Sequence, residues 1–295
     1  MKIVAVANQK GGVGKTTTSV NLAACLAAMG RKILLVDLDP QGNATSALGV
    51  TATEEKSCYG PLLGESKLAD NIISTRFDNL SLVPADLDLA GVEIEVARLE
   101  DHLVRLRNAV APLRKSAPFD YILLDCPPSL GILMTNALAA ADVVLVPLQA
   151  EYFALEGLTR IMEVTEHLHT VNPGLKVEGI VMTMVDNRTN LSQQVVAEVK
   201  SHFPEIIYKT MIPRSVRLGE APSFGKPILE YDPASLAAFA YTALAGEFLR
   251  RDNAIGKPSD EPADEPVAEK PAAANPSAKG AEKPSRKRGG KPSGK

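Results

Sequence analysis

The stretch Asn8 to Thr18, NQKGGVGKTTT, decides how this chain folds. It meets the phosphate-loop pattern G-x-x-x-x-G-K-[ST] only if the count starts at Gln9 or Lys10 rather than at a glycine, so the strict form fails. What stands there is K-G-G-V-G-K-T-T, with Lys10 opening the loop and Lys15 closing it. Gly11, Gly12 and Gly14 can take the positive φ angles that let consecutive backbone N–H groups converge on phosphate oxygens. Upstream, Ile3 to Ala7 reads as a buried strand. Downstream, Thr16 to Met29 reads as a helix, with Val20, Ala23, Ala24 and Ala27 at helical spacing. Strand, glycine turn and helix N-terminus together favour a polyphosphate, because free amide donors and the helix dipole aim at the same point. Lys15 is expected to reach the β- and γ-phosphates, and the Thr16 hydroxyl to ligate Mg²⁺. Lys10 lies too far back to duplicate Lys15. It is either a solvated lysine or, as its spacing favours, a phosphate ligand on a facing subunit's nucleotide.

The chain's 295 residues allow one large or two ordinary domains, and 45% hydrophobic content is enough for a sizeable core. Its net charge of −3 is uneven. From Asn253 onward nine Lys/Arg face six Asp/Glu, a net of +3, so the preceding residues carry about −6. Attraction to nucleic acid must therefore come from a local patch rather than from the global field. Cys25, Cys58 and Cys126 are widely spaced and odd in number, which argues for a reducing compartment and against a disulfide framework or a zinc site. With no leader pattern and no apolar run of ~20 residues, the expected location is the cytoplasm.

Further along, KILLVD (Lys32 to Asp37) reads as a parallel strand ending in acid, followed by Asp39-Pro-Gln-Gly-Asn-Ala-Thr at the end where open α/β sheets bind ligands. Asp37 and Asp39 are a solvated turn or, in the functional reading, the place where Asp39 orients the water that attacks the γ-phosphate. Val50 to Asn79 carries no firm pattern and is given short helices. After a strand at Leu80 to Pro84, Leu89, Val92, Val96, Leu99, Leu103 and Leu106 recur at helical spacing through a charged segment running to Lys115. YILLD (Tyr121 to Asp125) is a hydrophobic strand ending in an acid able to serve Mg²⁺, and Cys126-Pro-Pro-Ser-Leu-Gly beyond it makes a plausible γ-phosphate sensor. Strands follow at Val143 to Pro147, Val177 to Val185 and Ile206 to Ile212. His167 and His169, two apart on a helix, read as surface residues rather than a metal pair. A last helix runs to about Arg251, with Leu236, Phe239, Ala240, Ala243, Leu244 and Phe248 along one side.

Alternating strands and helices behind a phosphate loop give an α/β fold, a doubly wound, mostly parallel sheet with helices on both faces, over residues 1–252. Residues 253–295 are expected to be a disordered Pro/Ala/Lys/Glu-rich tail, acidic from Asp260 to Glu269 and basic from Lys270. That basic end would keep the protein soluble or add non-specific attraction to DNA or an acidic partner.

The loop resembles the deviant Walker A of the ParA/MinD group of P-loop NTPases. VDLDPQGNATS, DYILLDCPPSLG, VPLQAEYFALEGL, TMVDNRTNLS and IPRSVRLGEAPSFGKP, in that order, resemble ParA/Soj-type chromosome partition ATPases over roughly residues 1–251. Nothing resembling an N-terminal helix-turn-helix precedes the loop, so the likeness is to the short chromosomal type. The resemblance implies an ATPase using ATP and Mg²⁺. Lys10 would act in trans across an ATP-sandwiched homodimer, Gly11, Gly12, Val13, Gly14, Lys15, Thr16 and Thr17 would cradle the phosphates, and Thr16 with Asp125 would serve the metal. Asp39 would position the hydrolytic water, and Pro213 and Ser215 would border the adenine. Arg188 and Arg217 match the family's DNA-binding arginines; ordinary loop cations are the plainer reading. Ser215, Gly219 and Phe224 stand where the family commonly has asparagine, serine and histidine. Non-specific double-stranded DNA, the nucleoid and a ParB/Spo0J-type centromere-binding protein are the implied partners. Two other readings share the fold. A MinD-like membrane-positioning ATPase needs a terminal amphipathic helix, which the Pro/Gly/Lys-rich end does not supply, so no membrane partner is expected. A small-molecule-metabolising P-loop enzyme would give Arg188 and Arg217 no reason to matter to DNA.

Overall fold

Short apolar runs bounded by glycine, proline or acid, each followed by a helix-period segment, can close only as parallel strands joined by crossovers. The computed structural model describes residues 1–53 and 56–255, and has this arrangement. The strands are β1 (Lys2–Val6), β2 (Ile33–Asp37), β3 (Ile73–Ser74), β4 (Leu80–Val83), β5 (Tyr121–Asp125), β6 (Val143–Gln149) and β7 (Lys176–Thr183). They form one sheet in the order β3-β4-β2-β5-β1-β6-β7, parallel throughout except for the two-residue edge strand β3. The helices are α1 (Lys15–Ala28), α2 (Asn43–Ala47), α3 (Tyr59–Leu63), α4 (Leu89–Val96), α5 (Arg105–Ser116), α6 (Ile132–Ala140), α7 (Ala154–His167), α8 (Asn190–His202), α9 (Val216–Glu220), α10 (Ile228–Tyr231) and α11 (Leu236–Ile255).

Alternate residues of each strand feed two cores, one on either face. Ile3, Ala5, Ile122, Leu124, Val144 and Val146 pack with α3 to α8, while Val4, Tyr121, Leu123 and Leu145 pack with α1, α2, α10 and α11. This is why β1, β2 and β5 read as continuous apolar runs rather than alternating ones: both faces are covered. With β5 central and β1 beside it, the loops after β1, β2, β5, β6 and β7 all open at one edge, the carboxyl ends of the parallel strands.

Several expectations are corrected. The apolar stripe from Leu89 to Leu106 is not one helix but α4 and α5, and Leu99 and Leu103 fall between them, only half-buried. Ile206 to Ile212 is not a seventh parallel strand of the sheet. It meets β7 at one isolated bridge, Ile180 to Ile207, and a bond from Ile212 N to Met182 O, because between them the Lys209 and Thr210 amides turn instead to the Glu247 carboxylate of α11 (2.8 and 2.9 Å). On α11 the buried stripe is Ala237, Ala238, Tyr241, Leu244, Ala245 and Phe248, whereas Leu236, Phe239 and Ala243 are exposed. The buried face mixes alanines with Tyr241, Leu244 and Phe248, so side-chain size alone does not mark it. α11 also continues through Ile255, past the 252/253 composition boundary. Asp252 near its end accepts from Tyr121 Oη (2.6 Å) and Lys2 Nζ (2.8 Å), pinning the helix to the start of two strands. The basic tail lies outside the described residues.

Candidate functional site

The loop between β1 and α1 turns through Gly12 (φ 76°) and Gly14 (φ 90°), left-handed conformations that a side chain would strain. Gly14 stands at the N-cap of α1, so the first amides of that helix carry no side-chain cap and stay open to a ligand. Val13 is buried beneath the loop, and its carbonyl accepts from Thr183 Oγ1 of β7 (2.7 Å). The two lysines go different ways. Lys15 is 7% exposed and folds back so that Nζ donates to the Lys10 carbonyl (3.0 Å). The Lys10 side chain instead reaches the Glu151 carboxylate in the loop after β6, over the Phe153 ring. Burial lowers the Lys15 pKa, opposed by the nearby Asp125, Cys126 and Asp39.

Those acids come from neighbouring strand ends. Asp125 sits level with Val6 on one side and Asp37 on the other, and both aspartates are fully buried. Asp37 is satisfied internally, accepting from Thr45 N (2.8 Å), Thr45 Oγ1 (2.7 Å) and Asp39 N (3.2 Å). It therefore builds the turn that carries Asp39. Asp39 in turn accepts from Gln41 N (3.0 Å) and is itself buried, at 9% exposure. Asp125 differs: Oδ1 accepts from Ser19 Oγ (2.7 Å), while buried Oδ2 has no partner. An orphaned carboxylate oxygen facing the first turn of α1, close to Thr16, is a fit for Mg²⁺. Among the described residues no three His, Cys, Asp or Glu side chains form a cage of their own, so a metal here needs phosphate oxygens to complete its shell.

Burial, and then the facing carboxylate, push the pKa of Asp125 up, and burial does the same to Asp37. A carboxyl whose pKa is higher folded than unfolded binds more protons in the folded state, so stability is greatest below the ordinary carboxylate range and falls as pH rises through it toward neutrality. The metal-free protein is expected to melt at a lower temperature at about pH 7.5 than at about pH 5, with Asp125→Asn flattening that fall. Thermal unfolding in chelator checks it, and an Asn variant with the wild-type slope would contradict it.

On the α11 side of the loop, Gly14, Thr17, Thr183, Met184, Pro213, Ser215, Leu218 and Tyr241 line a cavity of about 230 Å³. Pro213 and Ser215 thus lie in one cavity with the phosphate loop, and its mostly apolar walls suit a flat heterocycle. Arg188, in the loop before α8, and Arg217, on α9, lie outside it. Arg188 is 86% exposed and paired with Asp186 (2.8 and 2.7 Å); Arg217 is 56% exposed and paired with Glu220 (2.9 Å) and Asp232 (3.4 Å). Exposed pairs are readily exchanged for a stronger anion.

Sequence reasoning missed four residues. Asn8 is fully buried and holds the loop's entrance, donating to Pro147 O (2.8 Å) and accepting from Lys10 N (3.0 Å). Ser19 stands four residues after Lys15 on α1, a spacing that puts both on one helix face and was there to be read. Glu151 and Tyr241, whose hydroxyl meets Thr18 Oγ1 (3.3 Å), are far from the loop in sequence and carry no local signal.

Residues 1–177 match the model of a family described as an AAA domain. The chain is 48% identical over 254 residues to the chromosome partitioning protein ParA of Caulobacter vibrioides, covering 85% of this chain and 95% of that one. It is 51% identical over 251 residues to the sporulation initiation inhibitor protein Soj of Bacillus subtilis, covering 83% and 97%. Among solved structures, the Mycobacterium smegmatis cobyrinic acid a,c-diamide synthase with bound ATP analogue and magnesium superposes with a TM-score of 0.73 at 36% identity, over 86% of this chain and 96% of that one. A glycine cradle, an orphaned aspartate oxygen and a base-sized cavity at one sheet edge complete the picture: the chain is an ATPase working with ATP and Mg²⁺, and it belongs to the ParA/Soj family of chromosome-partitioning ATPases.

Proposed function

We propose that ATP joins two copies of this chain face to face, and that the joined pair binds double-stranded DNA without sequence preference to move chromosome origins. The observation that carries the reading is the divergence of the two loop lysines. Lys15 closes over its own loop, while the Lys10 ammonium is directed away from it to the partly exposed Glu151 carboxylate, from which it would be exchanged onto a nucleotide held by a facing copy. In this reading Gly11 to Thr17 cradle the phosphates through backbone amides and Lys15 neutralises the β,γ-oxygens. Pro213 and Ser215 border the adenine. Thr16 and Asp125 hold Mg²⁺, which when bound offsets the charge on the β- and γ-phosphates. Asp39 orients the attacking water. Hydrolysis removes the γ-phosphate that Lys10 grips from across the interface, so the copies separate.

Joining two copies doubles the exposed Arg188 and Arg217 available to one duplex. Non-specific affinity per module is only ~10⁻⁴ to 10⁻⁶ M, so the doubling is what makes an effective switch. A ParB-type centromere-binding partner would accelerate turnover and convert the switch into directed movement over the nucleoid, and the basic end of residues 253–295 would add non-specific attraction. Among the described residues no helix is long and apolar enough to cross a membrane.

The test is DNA binding with ATP and with ADP. Wild type is expected to bind only with ATP, and Arg217→Ala to lose most of that binding and to reduce its salt dependence, by about one unit of log–log slope per contact removed. Equal binding with ADP would rule the switch out. Full binding by Arg217→Ala with an unchanged salt slope would remove that arginine from the interface.

A further inference from the structure

Lys10 is fixed at its backbone and free only along its side chain. Its amide donates to Asn8 Oδ1 (3.0 Å), and its carbonyl accepts from Lys15 Nζ (3.0 Å). The ammonium at the other end rests on Glu151 Oε1, 5.7 Å from the centroid of the Phe153 ring. Glu151 is equally well anchored. It lies between β6 and α7, its amide donating to Gln149 O (2.8 Å) and its carbonyl accepting from Ala154 N (3.0 Å). The nearest other cation along that segment, Arg160, is already paired with Glu156. Among the described residues Lys10 is the one ion-pair partner of Glu151. The paired side chains are 38% and 30% exposed, wet enough for the pair to open and dry enough for it to matter.

A cation held by a carboxylate of its own subunit cannot at the same time be held by a phosphate of another. We infer that Glu151 is a positioning residue for Lys10, keeping its ammonium on the home subunit in the single chain and releasing it when a facing copy presents a triphosphate. The inference rests on the trans role of Lys10 given above and adds a competitor to it. The competitor is the carboxylate of Glu151, with Phe153 as a second, weaker holder of the same charge. The apparent affinity of the copies for each other is then reduced by the fraction of chains whose Lys10 is free. A partly exposed pair accounts for up to about five-fold per subunit, and so up to about 25-fold for a symmetric pair. The design keeps single chains apart when only ADP is bound, since a β-phosphate out of reach offers nothing to exchange for Glu151.

The test uses the full chain as wild type and as Glu151→Gln, with two readouts. The first is the concentration of a non-hydrolysable ATP analogue that gives half-maximal dimer at fixed protein concentration, by sedimentation velocity. It is expected to fall several-fold, by at most about 25-fold, in the variant. The second is the rate at which the Lys10 amine of the nucleotide-free chain is acetylated by a limiting amine-reactive ester, read by mass spectrometry. It is expected to rise several-fold in Glu151→Gln, while other exposed lysines label as in wild type. Unchanged or weaker dimerisation in the variant, or an unchanged Lys10 labelling rate, overturns the inference. Should wild type itself fail to dimerise with the analogue, it is the dimer reading that falls. A wild type that dimerises beside a variant no different from it removes the role of Glu151 alone.

Discussion

Lys15→Ala is expected to lose ATP turnover, with kcat/KM down by at least about 10²- to 10³-fold, the effect of removing one preorganised donor from a charged centre. The buried ammonium is set among Asp125, Asp39 and the loop carbonyl of Lys10, so it is already aligned and partly stripped of water before any phosphate arrives. Alanine would leave the β,γ-oxygens without the cation proposed for them and takes the ammonium away from the buried carboxylate of Asp125. The second effect favours the protonated form of that carboxyl and weakens any hold on Mg²⁺. The loop itself should survive, because Gly12, Gly14 and the Thr183 to Val13 bond do not depend on the side chain. Phosphate-release kinetics and nucleotide binding check this together: both fail in the variant. Turnover within about ten-fold of wild type would mean that the charge is supplied from elsewhere.

Asp39→Ala separates hydrolysis from binding. Its buried carboxylate is tied only to the Gln41 amide, while the turn beneath is held by the fully bonded Asp37. Removing it therefore costs little of the fold and nothing of the cradle. The hydrolysis rate is expected to drop about 10²- to 10⁴-fold, the range for a group that orients or relays a proton to a nucleophile, while ATP affinity stays within a few-fold. The variant should hold ATP-dependent DNA binding long after wild type has lost it through turnover. Single-turnover hydrolysis beside a DNA-retention time course reads both halves, and loss of ATP binding would place Asp39 among the structural residues instead.

Much of this was legible because the decisive signals are local. The glycine loop, the strand-final Asp125 and the Asp37-x-Asp39 turn each declare themselves within a dozen residues, and a parallel sheet brings strand ends to one edge whatever lies between. What the sequence hid depends on partners far along the chain. Glu247 diverts the amides of Lys209 and Thr210 from the sheet, and nothing near 209 announces a carboxylate from α11. On α11, Leu236 and Phe239 outweigh the alanines on any hydrophobicity count, yet the side chains that the fold buries are Ala237, Ala238, Tyr241, Leu244, Ala245 and Phe248. Glu151 reads as one more acid at a helix start until the fold sets it against Lys10.

The most direct measurement is the mass of the protein in solution, by sedimentation velocity, with a non-hydrolysable ATP analogue and Mg²⁺ against ADP and Mg²⁺. A dimer with the analogue and a monomer with ADP is the expected result. A chain that stays monomeric with the analogue, at concentrations where nucleotide binding is saturated, would contradict the proposal that ATP and Lys10 hold two copies together.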